Sequence, residues 1–178
     1  GKIRYAGVSN ETAWGLTRFA ALAESEGLPP IVSLQNVYHL LKRDYETEMA
    51  EVCERENIGM LAFSPIATGI LTGKYSGGAM PEGSRLATYP QRFRDRYGHP
   101  KALEAADRYV AIAREAGMDP AAMAVAWVRG RPGVASALPG VTRPEHVEAI
   151  IAGGDLTLSD DILAAIDAVH AEIKNPVV

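Results

Sequence analysis

The chain alternates between short apolar runs and longer amphipathic segments. Four apolar runs predict β-strands at residues 2–10, 31–36, 58–63 and 134–140. The third run has no charged residue and is typical of a strand buried on both faces. Apolar residues at helical spacing predict α-helices at residues 13–26, 44–56, 101–116, 120–129, 144–152 and 160–173. This alternation indicates right-handed crossovers, a parallel sheet and the α/β fold class.

Local signals define the first helix and the longest connection. Asn10 or Thr12 suits the N-cap of the first helix, and Gly27 suits its C-cap. Residues 66–100 have no regular periodicity and predict a long loop. Loops of that length in a compact domain are usually functional lids or disordered segments.

Polar side chains follow each predicted strand. They are Ser9, Asn10, Gln35, Ser64, Thr142 and Arg143. The carboxyl ends of parallel strands lie on one rim, and ligands of α/β folds bind there. The pattern therefore favours one ligand that spans several strand ends, as a dinucleotide does.

The loop after the third strand is rich in small residues and hydrogen-bond donors. Its donors Ser64, Thr68, Thr72 and Lys74 would suit a phosphate, and small residues let the backbone approach a ligand. The spacing excludes a Walker A loop, because three residues separate its glycines and tyrosine follows the lysine. A glycine-bearing connector without a ligand is the alternative interpretation.

The net charge of the chain argues against two classes of partner, nucleic acids and anionic membranes. The chain has 178 residues, a net charge of −4 and a pI near 5.6, so it lacks the basic field that nucleic acids or anionic membranes require. The local excess of cations at residues 85–101 predicts a solvated loop from which one arginine could reach a phosphate. No apolar run is long enough to span a membrane, and no signal peptide is visible.

Cysteine and histidine usage points to no metal centre. The single cysteine, Cys53, excludes an internal disulfide, fits a reducing compartment and is predicted to lie in the core. No histidine has metal-ligand spacing to Cys53 or to acidic residues. We interpret His39, His99 and His170 as surface or loop residues.

The strand count is half that of a closed parallel barrel, which has eight strands and about 250 residues. Four strands leave both sheet edges open. We therefore expect either a second chain or a segment upstream of Gly1 to complete the sheet.

Four motifs together resemble one enzyme family. They are GKIRYAGVSN at residues 1–10, QNVY at 35–38, FSPIATGILTGKY at 63–75 and PGVTRPEHV at 139–147. In this order and spacing they resemble the C-terminal half of an aldo-keto reductase, from the branch related to potassium-channel β-subunits. The resemblance implies that residues 1–178 form one partial domain with strands five to eight of a TIM-type (β/α)8 barrel, which binds NADP(H) without a Rossmann fold.

The resemblance also implies cofactor contacts at matching positions. The nicotinamide carboxamide would be held by Ser9, Asn10 and Gln35, and its ring would stack on Phe63, where the family usually has Tyr or Trp. The pyrophosphate would be wrapped by Ser64, Pro65, Ile66, Ala67, Thr68 and Lys74, with Arg85 on the segment that folds over the cofactor.

The adenosine end matches a third set of residues. The 2′-phosphate would be bound by Gly140, Thr142, Arg143 and His146, which favours NADP(H) over NAD(H). This chain has His146 in place of a common Gln or Arg, and Ala149-Ile150 in place of the Glu-Asn that usually contacts the adenine. Adenine contacts are therefore expected to be looser.

The catalytic Asp, Tyr, Lys and His of the family come from its first four strands, and no matching motif occurs here. Hydride transfer to a carbonyl needs a proton donor, typically a Tyr assisted by Lys, and no lysine accompanies Tyr38. Tyr38 is therefore interpreted as substrate-side wall or ring packing. We expect the cofactor-binding half of a cytoplasmic NADP(H)-dependent reductase of aldehydes or ketones, inactive as this fragment alone, with no catalytic residue of its own.

Two alternatives remain at this stage. One is a non-catalytic NADP(H)-binding regulatory subunit. The other is a half-barrel that pairs with a second copy of itself. The expected partners are thus a small carbonyl substrate and either the missing half-barrel or another copy, with no nucleic acid and no membrane.

Overall fold

A computed structural model describes residues 1–177 and, for Glu145, the backbone alone. One four-stranded sheet contains β1 (Ala6–Ser9), β2 (Ile31–Val37), β3 (Gly59–Phe63) and β4 (Val134–Leu138). The strands are parallel and lie in the order β1-β2-β3-β4. The prediction of four parallel strands is confirmed.

The helices follow the predicted alternation. They are α1 (Ala13–Glu26), α2 (Tyr45–Glu48), α3 (Ala50–Arg55), α4 (Arg85–Thr88), α5 (Pro90–Tyr97), α6 (Pro100–Glu115), α7 (Pro120–Arg129), α8 (Glu145–Asp155) and α9 (Asp160–Glu172). Thr12 caps α1 by accepting from the Gly15 amide at 3.1 Å, and Gly27 ends it with a φ of 63°. No helix in the described part of the chain is both long and apolar enough to cross a membrane.

Three regions differ from the predicted elements. The first strand, predicted at residues 2–10, spans only Ala6–Ser9. The single helix predicted over residues 44–56 is interrupted at Met49, where φ is −126°. The predicted loop at residues 66–100 contains 3-10 turns and the helices α4 and α5. Phe93 of α5 packs 5.3 Å from Tyr75 and 5.7 Å from Tyr97, ring centre to ring centre. Tertiary contacts therefore hold helices that the local periodicity does not reveal.

The sheet is covered on one face. Leu34, Met60 and Ala62 are fully buried, whereas their neighbours Leu61 and Phe63 are only half-buried. Helix α1 contacts β2 and helix α3 contacts β3, the two strands that bear these buried residues. The expectation that the third strand is buried on both faces is wrong, because the described residues supply a helical layer for one face alone.

Helix α8 packs very closely against α7. A Cβ atom at Gly153 would lie 2.6 Å from the backbone oxygen of Ala122, so only glycine permits this approach. Residues 121–128 of α7 are all buried. The contact fixes α8, and therefore the residues at its amino end, relative to the core.

A buried ionic cluster joins the segment after β2 to the end of the chain. Arg43 donates to Glu46 at 2.9 Å and to Asp167 of α9 at 2.8 Å, and its guanidinium lies 4.9 Å from the ring centre of Trp127. The Arg43 amide also donates to the Asn175 side chain at 2.7 Å. These bonds hold the C-terminal segment against the carboxyl rim of the sheet.

Candidate cofactor site

The loop that leaves β3 has an unusual backbone. Ser64, Ala67 and Thr68 have φ values of 58°, 48° and 59°, in the left-handed region that side chains other than glycine seldom adopt, and Gly69 has a φ of 94°. Such strain costs about 1–3 kcal/mol per residue and concentrates at functional sites. The turn is held by bonds such as the Ala67 amide to the Ser64 oxygen at 2.7 Å.

Lys74 folds back over this loop. Its Nζ atom would lie 2.7 Å from a Cβ atom at Gly69, and it sits 5.0 Å from the centre of the Tyr75 ring. The cation–π contact and the missing side chain at Gly69 together place the ammonium group above the loop. The local sequence thus positions a cation beside strained backbone.

A groove of about 640 Å³ runs from this loop to the start of α8. The structure brings nine predicted cofactor residues to it: Ser64, Ile66, Thr68, Lys74, Arg85, Gly140, Thr142, Arg143 and His146. It also contains residues that sequence reasoning did not assign to the site, notably Glu82, Ser84 and Asp119. Ala149 and Ile150, which depart from the family pattern, line the groove as well.

The groove is lined by three cationic side chains, Lys74, Arg85 and Arg143, and two acidic ones, Glu82 and Asp119. Lys74, Arg85 and Arg143 are exposed, and the ion pairs among side chains of residues 1–144 and 146–177 include none of them. Of the two acids, Asp119 caps α7 by accepting from the Ala122 amide at 2.9 Å. Hydroxyls, an ammonium group and two guanidiniums around such a volume suit a phosphorylated ligand.

Ser9, Asn10 and Gln35 form a second group at the ends of β1 and β2. Ser9 Oγ donates to the Gln35 backbone oxygen at 2.9 Å, and Asn10 Nδ2 donates to Ser9 Oγ at 3.1 Å. Phe63, at the end of β3, pairs in register with Val37. These residues lie outside the large groove, but Asn10 and Phe63 line a smaller pocket of about 80 Å³.

Two predicted residues do not face the groove with their side chains. Pro65 is buried and Ala67 is fully buried, so their side chains belong to the core beneath the loop. Neither residue lines the groove. The sequence could not separate these positions from their neighbours, because a non-periodic loop gives no inward and outward alternation.

Tyr38 packs in the core, as the ring-packing interpretation predicts. Its hydroxyl donates to Glu46 at 2.5 Å, its ring lies 5.2 Å from Trp127, and no part of it is exposed. Burial, then the bond and charge of Glu46, raise the pKa of Tyr38 far above its ordinary value. Tyr38 therefore does not form the substrate-side wall and cannot supply a proton to a ligand in either cavity.

The interpretation of His39 as a surface residue is wrong. The side chain is 1% exposed, and its Nδ1 atom accepts from the Leu41 amide at 3.2 Å. Burial lowers the pKa of His39 to about 3, and the charges of Lys42 and Arg96 add to this effect. The apolar residues around it, Val37 to Leu41, were the signal for burial.

Cys53 is buried as predicted, with 2% of its surface exposed. Within the described residues, no group of three or more His, Cys, Asp or Glu side chains could hold a metal ion.

Comparison with known proteins identifies the family. A sequence profile described as "Aldo/keto reductase family" matches residues 1–171. "Protein tas" of Escherichia coli (strain K12) is 48% identical over 176 residues, which cover 99% of this chain and 50% of that protein. "Putative voltage-gated potassium channel subunit beta" of Schizosaccharomyces pombe is 30% identical over 175 residues, 95% of this chain and 51% of that protein.

A third relative carries an enzyme name. "L-glyceraldehyde 3-phosphate reductase" of Escherichia coli O157:H7 is 31% identical over 174 residues, covering 94% of this chain and 49% of that protein. The chain spans about half the length of the curated relatives it matches. The profile match covers nearly all of the sequence, and the chain belongs to the aldo/keto reductase family.

Proposed function

We propose that the chain is the C-terminal, NADP(H)-binding half of an oxidoreductase that reduces aldehydes or ketones by direct hydride transfer. The observation that carries this proposal is the groove in which the β3 loop, Arg85 and the start of α8 meet. Relatives with reductase names support the reaction class.

The groove residues fit the phosphates of the cofactor. Arg143 and Thr142 would bind the 2′-phosphate, since a guanidinium forms paired bonds with phosphate oxygens. Ser64, Thr68 and Lys74 would bind the pyrophosphate at the strained loop. Gly140, His146 and Arg85 would complete the enclosure of the nucleotide.

The rim of β1 and β2 would orient the nicotinamide. The carboxamide needs both donors and acceptors, which the hydrogen-bonded group Ser9, Asn10 and Gln35 offers. Phe63 would stack on the ring. When bound, the reduced cofactor supplies the hydride that the carbonyl carbon accepts.

Proton transfer would come from outside this chain. Tyr38 is buried and bonded to Glu46, with its pKa raised by burial, so it cannot protonate an alkoxide at the rim. We therefore propose a half-barrel that is inactive alone. Its uncovered sheet face and the open edges at β1 and β4, within the described residues, support completion by a preceding half-barrel.

Cofactor binding by the chain tests this proposal. We expect NADPH to bind more tightly than NADH, and Arg143→Gln to weaken NADPH binding about tenfold to a hundredfold while NADH binding stays unchanged. Isothermal calorimetry measures both dissociation constants. Arg18→Gln, at an exposed arginine of α1, is the matched control.

Four results would change the proposal. Failure of NADPH to bind the chain, or equal effects of Arg143→Gln and Arg18→Gln, would reject the assigned groove. Binding of NADPH by a complete protein that never reduces carbonyls would favour a regulatory subunit, the role that the name of the fission-yeast relative suggests. A dimer mass in sedimentation would favour a self-paired half-barrel.

A further inference from the structure

The small pocket beside Phe63 is distinct from the large groove. It lies where the ends of β1, β2 and β3 meet α5 and the C-terminal segment, and its volume is about 80 Å³. That volume admits several water-sized groups, enough for a carboxylate or phosphate but far too little for a nucleotide. The pocket therefore suits one compact chemical group.

The charged side chains around the pocket are cationic, and the Asn10 amide and the Tyr97 hydroxyl are its neutral polar groups. His39, Lys42 and Arg96 line it, and no acidic side chain is among its described lining residues. Lys42 is paired with Asp44 at 2.7 Å, whereas Arg96 has no ion pair with any side chain that the structure describes. Arg96 thus brings a positive charge that the protein itself does not neutralise.

His39 adds a buried donor with no protein partner. Its Nδ1 atom accepts from the Leu41 amide at 3.2 Å, so the proton of the neutral ring resides on Nε2. That Nε2 atom is buried and has no hydrogen-bond partner among the described residues. A buried donor without a partner costs about 1–3 kcal/mol, which a bound acceptor would recover.

We infer that this pocket is an oxyanion subsite, in which Arg96 and His39 bind the carboxylate or phosphate of a small carbonyl substrate. The inference rests on the proposed function, because Phe63 and Asn10 line the same pocket and are the residues proposed to hold the nicotinamide. A substrate anchored there would present its carbonyl beside the ring. Substrates with a charged end would then be favoured over neutral aldehydes.

Titration of the chain with simple probes tests the subsite. The probes are acetate, inorganic phosphate and neutral acetamide, and the readout is the Nε2–H resonance of His39 in ¹⁵N-labelled protein. We expect a saturable shift with at least one anion and none with acetamide. Acetate alone would define a carboxylate subsite, and phosphate alone a phosphate subsite.

Substitutions on α5 distinguish anion binding at the subsite from a general effect of positive charge on the helix. Arg96→Gln should weaken anion binding at least about tenfold, because it removes one charge-assisted bond. Arg92→Gln, on the same exposed helix but outside the pocket, should leave the dissociation constant unchanged. No saturable shift with either anion, or equal effects of both substitutions, would overturn the inference.

Titration with NADPH distinguishes the oxyanion subsite from the proposed cofactor site. If saturating NADPH abolishes the anion shift, the pocket belongs to the cofactor and the inference fails. If NADPH and the anion bind to the chain at the same time, both the proposed function and the oxyanion subsite are supported. If NADPH does not bind at all, the proposed function fails, while the response of Arg96→Gln still decides whether the oxyanion subsite exists.

Discussion

Lys74 occupies the space that a side chain at Gly69 would fill. A Cβ atom at Gly69 would lie 2.7 Å from Lys74 Nζ, and the φ of Gly69 is 94°. Lys74, the cation of the proposed pyrophosphate site, can take this position because the residue five positions earlier is a glycine. Gly69 therefore contributes to the proposed ligand site although it has no functional group of its own.

Gly69→Ala should therefore weaken NADPH binding about tenfold and lower the free energy of unfolding by about 1–2 kcal/mol. The displaced ammonium group accounts for the first effect, and backbone strain accounts for the second. Fluorescence titration and urea unfolding measure them. Gly77→Ala is the control, since φ there is 66° but no atom lies within 4 Å of the new Cβ. Equal losses of affinity in both variants would refute the positioning role.

Gly153→Ala should destabilise the protein by about 1–3 kcal/mol, because its Cβ would meet the Ala122 backbone oxygen at 2.6 Å and force α8 away from α7. The adjacent Gly154→Ala meets no atom within 4 Å and should be neutral or stabilising, since alanine favours the helix. Urea unfolding compares the two. A smaller loss for Gly153→Ala than for Gly154→Ala would contradict the close packing.

Protonation of His39 should make the fold less stable in mild acid. Burial lowers the pKa of His39 from 6.5 to about 3, so the unfolded chain takes up the proton first. The free energy of unfolding is then largest above pH 6.5 and decreases as the pH falls, by up to about 1.4 kcal/mol per pH unit. The pKa of His170 is also lowered by burial and acts in the same direction.

His39→Gln isolates this contribution. Between pH 6.5 and about 5, above the range in which carboxylates titrate, the variant should show a shallower loss of stability than the parent. Urea midpoints across this range, in buffers without phosphate or carboxylate, provide the measurement. If the parent and the variant lose stability in parallel as the pH falls, His39 has the same pKa in the folded and unfolded states and the prediction is wrong.

Glu46→Gln should cost about 2–4 kcal/mol, because it removes the carboxylate that accepts two hydrogen bonds from the buried Arg43 guanidinium. Burial opposes ionisation of Glu46, but hydrogen bonds from Arg43 and Tyr38 outweigh it and lower the pKa of the carboxyl group. Glu51→Gln removes an exposed pair with Arg55 and should change stability by less than about 0.5 kcal/mol. Thermal unfolding of both variants checks the contrast.

The sequence predicts strands and long helices well because each carries a strong local pattern. Thr12 and Gly27 mark the ends of α1, and the buried runs mark β2 and β3. The helix α5 was missed because its stability depends on aromatic contacts with residues outside the helix, Phe93 with Tyr75 and Tyr97 with His39. The same limit applies to the site, where Glu82 and Asp119 enter the groove through tertiary folding alone.

His39 shows a different limit of sequence reasoning. The apolar residues next to it in sequence indicate burial, but they do not indicate which other residues surround the ring. Its environment is created by Lys42, by Arg96 of α5 and by Val177 near the end of the chain, which lie far apart in sequence. Only the folded structure shows which residues surround the His39 ring.

Tyr97 lies between the two cavities. It lines the small pocket, and its hydroxyl lies 3.5 Å from Oγ1 of Thr68, which lines the groove. A ligand that shifts this side chain changes the free energy of binding at the other cavity, and thermodynamic linkage makes the effect equal in both directions. If the groove and the pocket hold the proposed cofactor and substrate, Tyr97 couples the binding of one to the binding of the other.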